Sequence, residues 1–210
     1  MNEYHKIQTV FLRDPETRFK TLLYGQFALP EFAYLAENRW VFTEKVDGTN
    51  IRVMFDGERI SFGGKTDNAS IPANLTDALQ RQFLPQLDTF RETFETSGGV
   101  CLYGEGYGAK IQKAGALYRP DNGFVLFDVR IGNWWLERSA VEDIADKLGL
   151  DVVPIIGRGT LYDMVKMVRD GFESRWGNFL AEGIVARPDV ELTNRAGHRI
   201  ITKIKHCDFA

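Results

Sequence analysis

Glu44-Lys45-Val46-Asp47-Gly48-Thr49-Asn50 is the stretch on which the reading of this chain turns. An apolar run, Trp40, Val41 and Phe42, leads into Lys45 and reads as a strand. Asp47-Gly48 is a turn signal, and Ile51-Arg52-Val53-Met54-Phe55 reads as a second strand. The lysine therefore stands at a strand-to-turn junction, where its side chain can project into a pocket instead of bulk water. A lysine so placed serves as a nucleophile when its surroundings favour the neutral amine. Taken alone, Lys-x-Asp-Gly is an ordinary surface hairpin, so the rest of the chain has to decide.

The 210 residues carry a formal net charge of -3, with 44% hydrophobic residues, 15 Phe and 4 Trp. That is apolar material for one large domain, or one domain with a small appendage. No apolar run approaches the roughly 20 residues of a membrane span. The start, Met1 to Lys6, lacks the basic-then-apolar form of a signal peptide. Cys101 and Cys207 lie far apart without Cys-x-x-Cys spacing, which reads as a reduced, intracellular, cytoplasmic protein with ordinary thiols and no membrane partner. The acidic balance argues against a passive nucleic-acid coat, so any polyanion site must be a local basic patch. Two candidates exist: Lys110, Lys113 and Arg119 in a Gly-containing loop, and the stripe Arg195, Arg199, Lys203 and Lys205, which has no acidic residue within it.

The first thirty residues read as short strands and turns, and 30–37 as a short helix with Phe32, Leu35 and Ala36 inward. A hairpin is expected over 50–55 and 59–62 around Asp56-Gly57, then a polar loop over 63–68. Leu75, Leu79, Phe83, Leu87, Phe90 and Phe94 fall near helical spacing over 73–94, with Pro85 kinking or splitting the segment and Gly98-Gly99 ending it. Further strands are expected over 100–105, 123–131, 152–156, 181–187 and 198–205, and helices over 138–148 and around Leu161 to Val168. Strands joined mostly by hairpins, with a few helices, predict an α+β protein of antiparallel sheets flanked by helices.

Alternation then sorts side chains onto faces. Lys203 and Lys205 share one face of the last strand and Ile204 takes the other. Glu182 goes with Ile184 and Ala186, Glu105 ends its strand beside Tyr103 and Cys101, and Phe127 goes with Val125 and Val129. Singly these read as structural: Phe127 as core, the glutamates as partners of surface arginines, His198 and His206 as solvated or phosphate-facing groups. Charged groups inside apolar runs are costly to bury without partners or a ligand, so the set together points to a common site.

In order along the chain, Lys45-x-Asp47-Gly48-x-Asn50, Tyr103-Gly104-Glu105-Gly106, Phe127-Asp128, Glu182-Gly183-Ile184-Val185 and Lys203-Ile204-Lys205 resemble the nucleotidyltransferase motifs of covalent ligases and capping enzymes. The likeness is greatest to ATP-dependent RNA ligases of the phage T4 RNA ligase 2 type, and it runs from about Phe42 to Lys205. Asn50 marks the subdivision, because DNA ligases and capping enzymes usually carry arginine there. The resemblance implies the nucleotidyltransferase (ATP-grasp-like) fold of covalent ligases, with the whole of 1–210 as one adenylyltransferase domain. It implies that Lys45 attacks the α-phosphate of ATP to form a lysyl-AMP, its pKa depressed by Lys203, Lys205 and a bound Mg²⁺ or Mn²⁺. Lys203 and Lys205 would stabilise charge on the phosphates. Glu105 would hold the ribose hydroxyls, Phe127 would stack on adenine, and Glu182 would bind or orient the metal. Glu44 would offer a backbone carbonyl to the adenine amino group. Asp47 and Gly48 belong to the nucleotide-binding set by their place in the motif, and Asn50 would position the acceptor strand.

Two departures from that pattern stand out. Where RNA ligases usually carry an arginine after the first hairpin, this chain has Lys65, a point charge instead of a planar fork; Arg52 is the offset alternative. The sequence also stops five residues after Lys205, without the C-terminal OB or helical domain of larger members, which leaves room for an accessory protein in its place. The implied partner is RNA with 5′-phosphate and 3′-hydroxyl ends. A minimal DNA ligase, a capping guanylyltransferase and a non-catalytic RNA-binding module are the alternatives, and the kind of RNA end is left open.

Overall fold

The computed structural model describes residues 3–95 and 99–209; Met1 and Gly98, named above, lie outside them. The chain divides into two compact units, Met1–His5 with Asp47–Val153, and Lys6–Val46 with Pro154–Ala210.

The first unit is built on a six-stranded sheet. Its strands run in the order Asp151–Val152, Asn122–Ile131, Val100–Gly108, Thr49–Phe55 and Ile60–Gly63, with Trp134–Trp135 paired to Asn122–Ile131. The pairings are antiparallel except that of Asp151–Val152, which runs parallel to its neighbour. Ile51, Val53, Phe55, Leu102, Leu126 and Val129 line one face, and Leu75, Leu79, Phe83, Phe90 and Phe94 cover it. Those covering residues come from helices Ala73–Phe83 and Leu87–Phe94, parted by a 3-10 turn at Leu84–Gln86. Pro85 has no N–H to continue the ladder, so the predicted helix splits there. Helix Arg138–Leu148 has the predicted bounds and ends on left-handed Gly149.

The second unit carries a five-stranded sheet in the order Gln8–Thr9, Thr202–Lys205, Gly183–Pro188, Trp40–Lys45 and Ile155–Gly159, parallel only at the Gln8–Thr9 pairing. A separate ribbon pairs Phe11–Arg13 with Leu22–Phe27. Trp40, Phe42, Ile184, Ala186 and Ile204 pack with Leu161, Met164, Val165 and Val168 of helix Leu161–Asp170. That helix starts with a capping box: Thr160 Oγ1 accepts from Asp163 N at 3.1 Å, and Asp163 Oδ2 accepts from Thr160 N at 2.8 Å. Trp40 is fully buried with its Nε1–H donated to Leu35 O at 2.8 Å, so the largest core side chain leaves no polar atom stranded.

Three expectations are corrected. The strand expected over 152–156 is two strands in different sheets, broken at Pro154, which cannot donate to a ladder. The last strand is Thr202–Lys205 only; upstream a single bridge, Thr193 with Arg199, replaces regular pairing. Glu105 lies inside Val100–Gly108 and not at its end.

Candidate active site

Register in the second unit decides where the lysines point. Gly183 lies opposite both Lys45 and Lys205, and Val185 lies opposite both Thr43 and Lys203. Lys45, Lys203 and Lys205 therefore share one face, while Glu44, Ile184 and Ile204 line the buried one. A Cβ on Gly183 would sit 2.2 Å from Ile204 O, so these strands can approach so closely only with glycine there.

Glu182 departs from its expected place with Ile184 and Ala186. It precedes the first ladder residue, Gly183, so alternation does not govern it, and its carboxylate turns to the lysine face. Oε2 accepts from Lys45 Nζ at 2.6 Å and Oε1 from Lys205 Nζ at 2.6 Å. The Lys45 and Glu182 side chains are only 18% and 13% exposed, so Lys45 is no solvated hairpin lysine. In this arrangement the Nζ is a donor in an ion pair, and nucleophilic attack requires that pair to open.

Glu44 sits on the opposite face, 1% exposed. Its Oε1 accepts from Ser174 Oγ at 2.6 Å and its Oε2 from Arg175 N at 2.8 Å. The carboxylate therefore fixes the loop around 173–180. Ser174 carried no sequence signal, because its partner lies 130 positions away. Burial pushes the Glu44 carboxyl above its ordinary 4.5, with the Ser174 and Arg175 hydrogen bonds opposing. The folded protein thus holds this proton more tightly than the unfolded chain. The stability so contributed is complete below about 4.5 and is lost as pH rises through the higher folded value. Unfolding followed by denaturant across that range should show Glu44→Gln losing this component of the pH dependence; an unchanged profile would contradict it.

In the first unit, Asn50 pairs with Glu105 and Arg52 with Tyr103 across adjacent strands. A Cβ on Gly48 would meet Gly106 O at 2.3 Å and Glu105 Cγ at 2.8 Å, so the turn packs directly on the Glu105 strand. That turn is tied down by residues the sequence did not single out. Asp47 N–H donates to Tyr118 Oη at 3.2 Å, and Gln112 Nε2 donates to Gly48 O at 3.0 Å. Asn50 Oδ1 is buried without a hydrogen-bond partner. A stranded acceptor of that kind is uncommon and leaves a place for a donor from water or a ligand.

Arg52 is 1% exposed; its Nε donates to Gly64 O at 2.8 Å and its Nη2 pairs with Asp67 Oδ1 at 2.8 Å. It holds the loop that presents exposed Lys65. Phe127 lies at a β-bulge: Tyr103 faces Asp128 while Gly104 faces Leu126, leaving Phe127 as the extra residue. The bulge resets the alternation, so Val129 joins the core and Phe127 does not share its face. The Phe127 and Tyr4 rings instead meet edge to face with centroids 5.1 Å apart, and Tyr4 Oη donates to buried Asp128 at 2.5 Å.

The two basic groups fare differently from their sequence reading. Arg199 is buried against Glu191 at 2.5 Å, which interrupts the 195–205 stripe, and His206 Nδ1 lies 2.9 Å from Val168 O. Arg119 pairs with Asp121 at 2.6 Å, whereas Lys110 and Lys113 are exposed. Cys101 is buried and Cys207 exposed, both free thiols. Among the described residues no group of three or more His, Cys, Asp or Glu could hold a metal ion, and no helix is long and apolar enough to cross a membrane.

The architecture, α+β with mostly antiparallel sheets, is the nucleotidyltransferase fold. Residues 38–205 match the family model described as RNA ligase. The chain belongs to the RNA ligase family. Solved structures of Naegleria gruberi RNA ligase share the fold. The form with PPi superposes with a TM-score of 0.68 at 17% identity over 98% of this chain and 56% of that one. Mutant forms with AMP and Mn (TM-score 0.68, 16% identity) and with ATP and Mn (TM-score 0.68, 18% identity) each cover 98% of this chain and 56% of theirs. The chain thus spans under two thirds of the length of these relatives.

Proposed function

We propose that this chain is the adenylyltransferase module of an ATP-dependent RNA ligase of the phage T4 RNA ligase 2 type. The observation that carries the reading is the Lys45–Glu182–Lys205 cluster, with both Nζ atoms 2.6 Å from one carboxylate, in a chain of the RNA ligase family.

In this reading Lys45 Nζ, released from Glu182 and deprotonated, attacks the α-phosphorus of ATP. An N–P bond forms, the α–β phosphoanhydride bond breaks, and pyrophosphate leaves. AMP then passes to an RNA 5′-phosphate, and a 3′-hydroxyl attacks that end and expels AMP. Lys203 and Lys205 neutralise charge on the phosphates. Phe127 stacks on adenine, Glu105 takes the ribose hydroxyls, and the Glu44 carbonyl takes the adenine amino group. Asp47 and Gly48 form the turn at the nucleotide, and Lys65 contacts phosphate from the loop that Arg52 positions. Asn50 Oδ1, a buried acceptor without a donor, suits a hydroxyl of the acceptor strand.

Mg²⁺ or Mn²⁺ fits the donor set in one way. Glu182 is a single hard carboxylate outside any cluster of three, so it would hold an ion shared with the substrate phosphates. Bound there, the ion would supply positive charge to the phosphoryl group in transfer.

The test is incubation with α-labelled ATP and Mg²⁺ or Mn²⁺ followed by a denaturing gel. Covalent label that EDTA prevents supports the reading. No label with either metal on folded protein overturns it and favours a non-catalytic RNA-binding module. Sealing of nicked RNA but not nicked DNA separates an RNA from a DNA ligase. Exposed Lys110 and Lys113 are proposed as RNA contacts in the same reading. Reversing both charges should weaken RNA binding and flatten its salt dependence by about 0.7 per lost contact on single strands. Equal affinity at every salt concentration would remove them from the interface.

A further inference from the structure

The ribbon of Phe11–Arg13 and Leu22–Phe27 in the second unit is joined by a loop that is tightly bonded and locally strained. Phe19 N donates to Asp14 O at 2.9 Å, Arg18 N to Pro15 O at 3.0 Å, and Lys20 N to Thr17 O at 3.3 Å. Arg13 Nη1 donates to the carbonyls of Phe19 at 3.4 Å and Lys20 at 3.2 Å, and Asp14 Oδ1 accepts from Glu16 N at 2.9 Å. The first two bonds are the 6→1 and 5→2 pair that closes a helical turn, a geometry in which glycine normally takes the left-handed position. Here that position is Arg18, at φ 56, and Phe19 follows at φ 61.

A side chain with a Cβ is disfavoured in left-handed backbone, a bulky one most of all. Phe19 receives no burial in return, because it is 62% exposed. Arg18 and Lys20 beside it are exposed as well. Folding alone would be better served by glycine at 18 and 19. Backbone strain held in place by a network of hydrogen bonds clusters at functional sites, which makes this tip a candidate for one. On the same ribbon Tyr24 is 61% exposed, with the Arg169 guanidinium carbon 6.0 Å from its ring centroid. Two exposed rings, each accompanied by cations, match the pattern that binds single-stranded nucleic acid by stacking bases and neutralising phosphates. A protein partner would instead call for a continuous apolar patch.

We propose that the tip 18–20 is an RNA contact, with an unpaired base stacked on Phe19 and flanking phosphates on Arg18 and Lys20. It rests on the RNA ligase reading and adds to it a binding surface on the Phe11–Arg13 ribbon. The experiment compares wild type with Phe19→Gly and Arg18→Gly. Thermal unfolding is measured first, then binding of a short fluorescein-labelled single-stranded RNA, without nucleotide, at several salt concentrations. Glycine relieves the strain, so both variants should melt higher than wild type. Phe19→Gly should nevertheless bind RNA about 10-fold more weakly, the scale of one lost stacking contact. Arg18→Gly should reduce the salt slope by about 0.7. Stability rising while affinity falls is a combination that a purely structural Phe19 does not produce.

Unchanged RNA affinity in both variants overturns the proposal. Lower melting together with lower affinity also overturns it, since Phe19 would then be serving the fold. The ligase reading stands on covalent labelling of wild type with ATP. Binding is scored here without ATP, so the two can fail separately.

Discussion

Lys45→Ala should yield a folded protein that takes up no covalent AMP. The substitution removes the Nζ but leaves the Glu182 carboxylate paired with Lys205 Nζ at 2.6 Å, so no buried charge is abandoned. Unfolding free energy should fall by about 1.5–3 kcal/mol, the scale of one charge-assisted hydrogen bond in a mostly buried pair. Lys45→Arg sharpens the test. Guanidinium keeps the charge and can still pair with Glu182, yet it stays protonated and is no nucleophile. If Lys45 were only a structural ion-pair partner, arginine would preserve labelling. If it is the nucleophile, arginine and alanine should be equally dead. Label persisting in both would move the nucleophile to Lys203 or Lys205, the other lysines on that face.

Glu182→Ala separates two roles that the resting geometry superimposes. As an ion-pair partner, the carboxylate holds Lys45 away from attack, and its removal should leave labelling intact or faster. As the carboxylate that holds a divalent ion, its removal should slow labelling by about 100-fold or more, the equivalent of several kcal/mol of lost charge stabilisation. The rate should then also need more metal to saturate. We expect the second outcome. Glu182→Gln should behave like alanine, since an amide keeps the shape but loses the anionic donor. Single-turnover labelling rates across a Mg²⁺ or Mn²⁺ titration decide the matter, and a variant faster than wild type would refute the metal role.

How much of this was legible in the sequence can be judged residue by residue. Helix 138–148 and the split at Pro85 were readable because hydrophobic spacing and a missing N–H are local properties of the chain. The order of Lys45, Glu105, Phe127, Glu182 and the Lys203-Ile204-Lys205 triplet was readable too, because a motif's spacing is fixed by covalent connection. Alternation correctly put Lys203 and Lys205 on one face, since both lie within the regular strand Thr202–Lys205.

Alternation failed where the ladder is interrupted. Glu182 stands just outside its strand, and Phe127 is the unpaired residue of a bulge; neither interruption leaves a trace in the order of apolar and polar residues. The pairing of Glu182 with both Lys45 and Lys205, and of Glu44 with Ser174, joins residues far apart in the chain, which spacing cannot reveal. The strain at Arg18 and Phe19 was equally silent, because Arg-Phe is no left-handed signal and only the closed hydrogen bonds of the loop impose it. The sequence by itself determined which side chains are present and in what local elements they stand. Tertiary structure alone decided which of them meet, because a contact between distant residues depends on strand register and on where each ladder begins and ends.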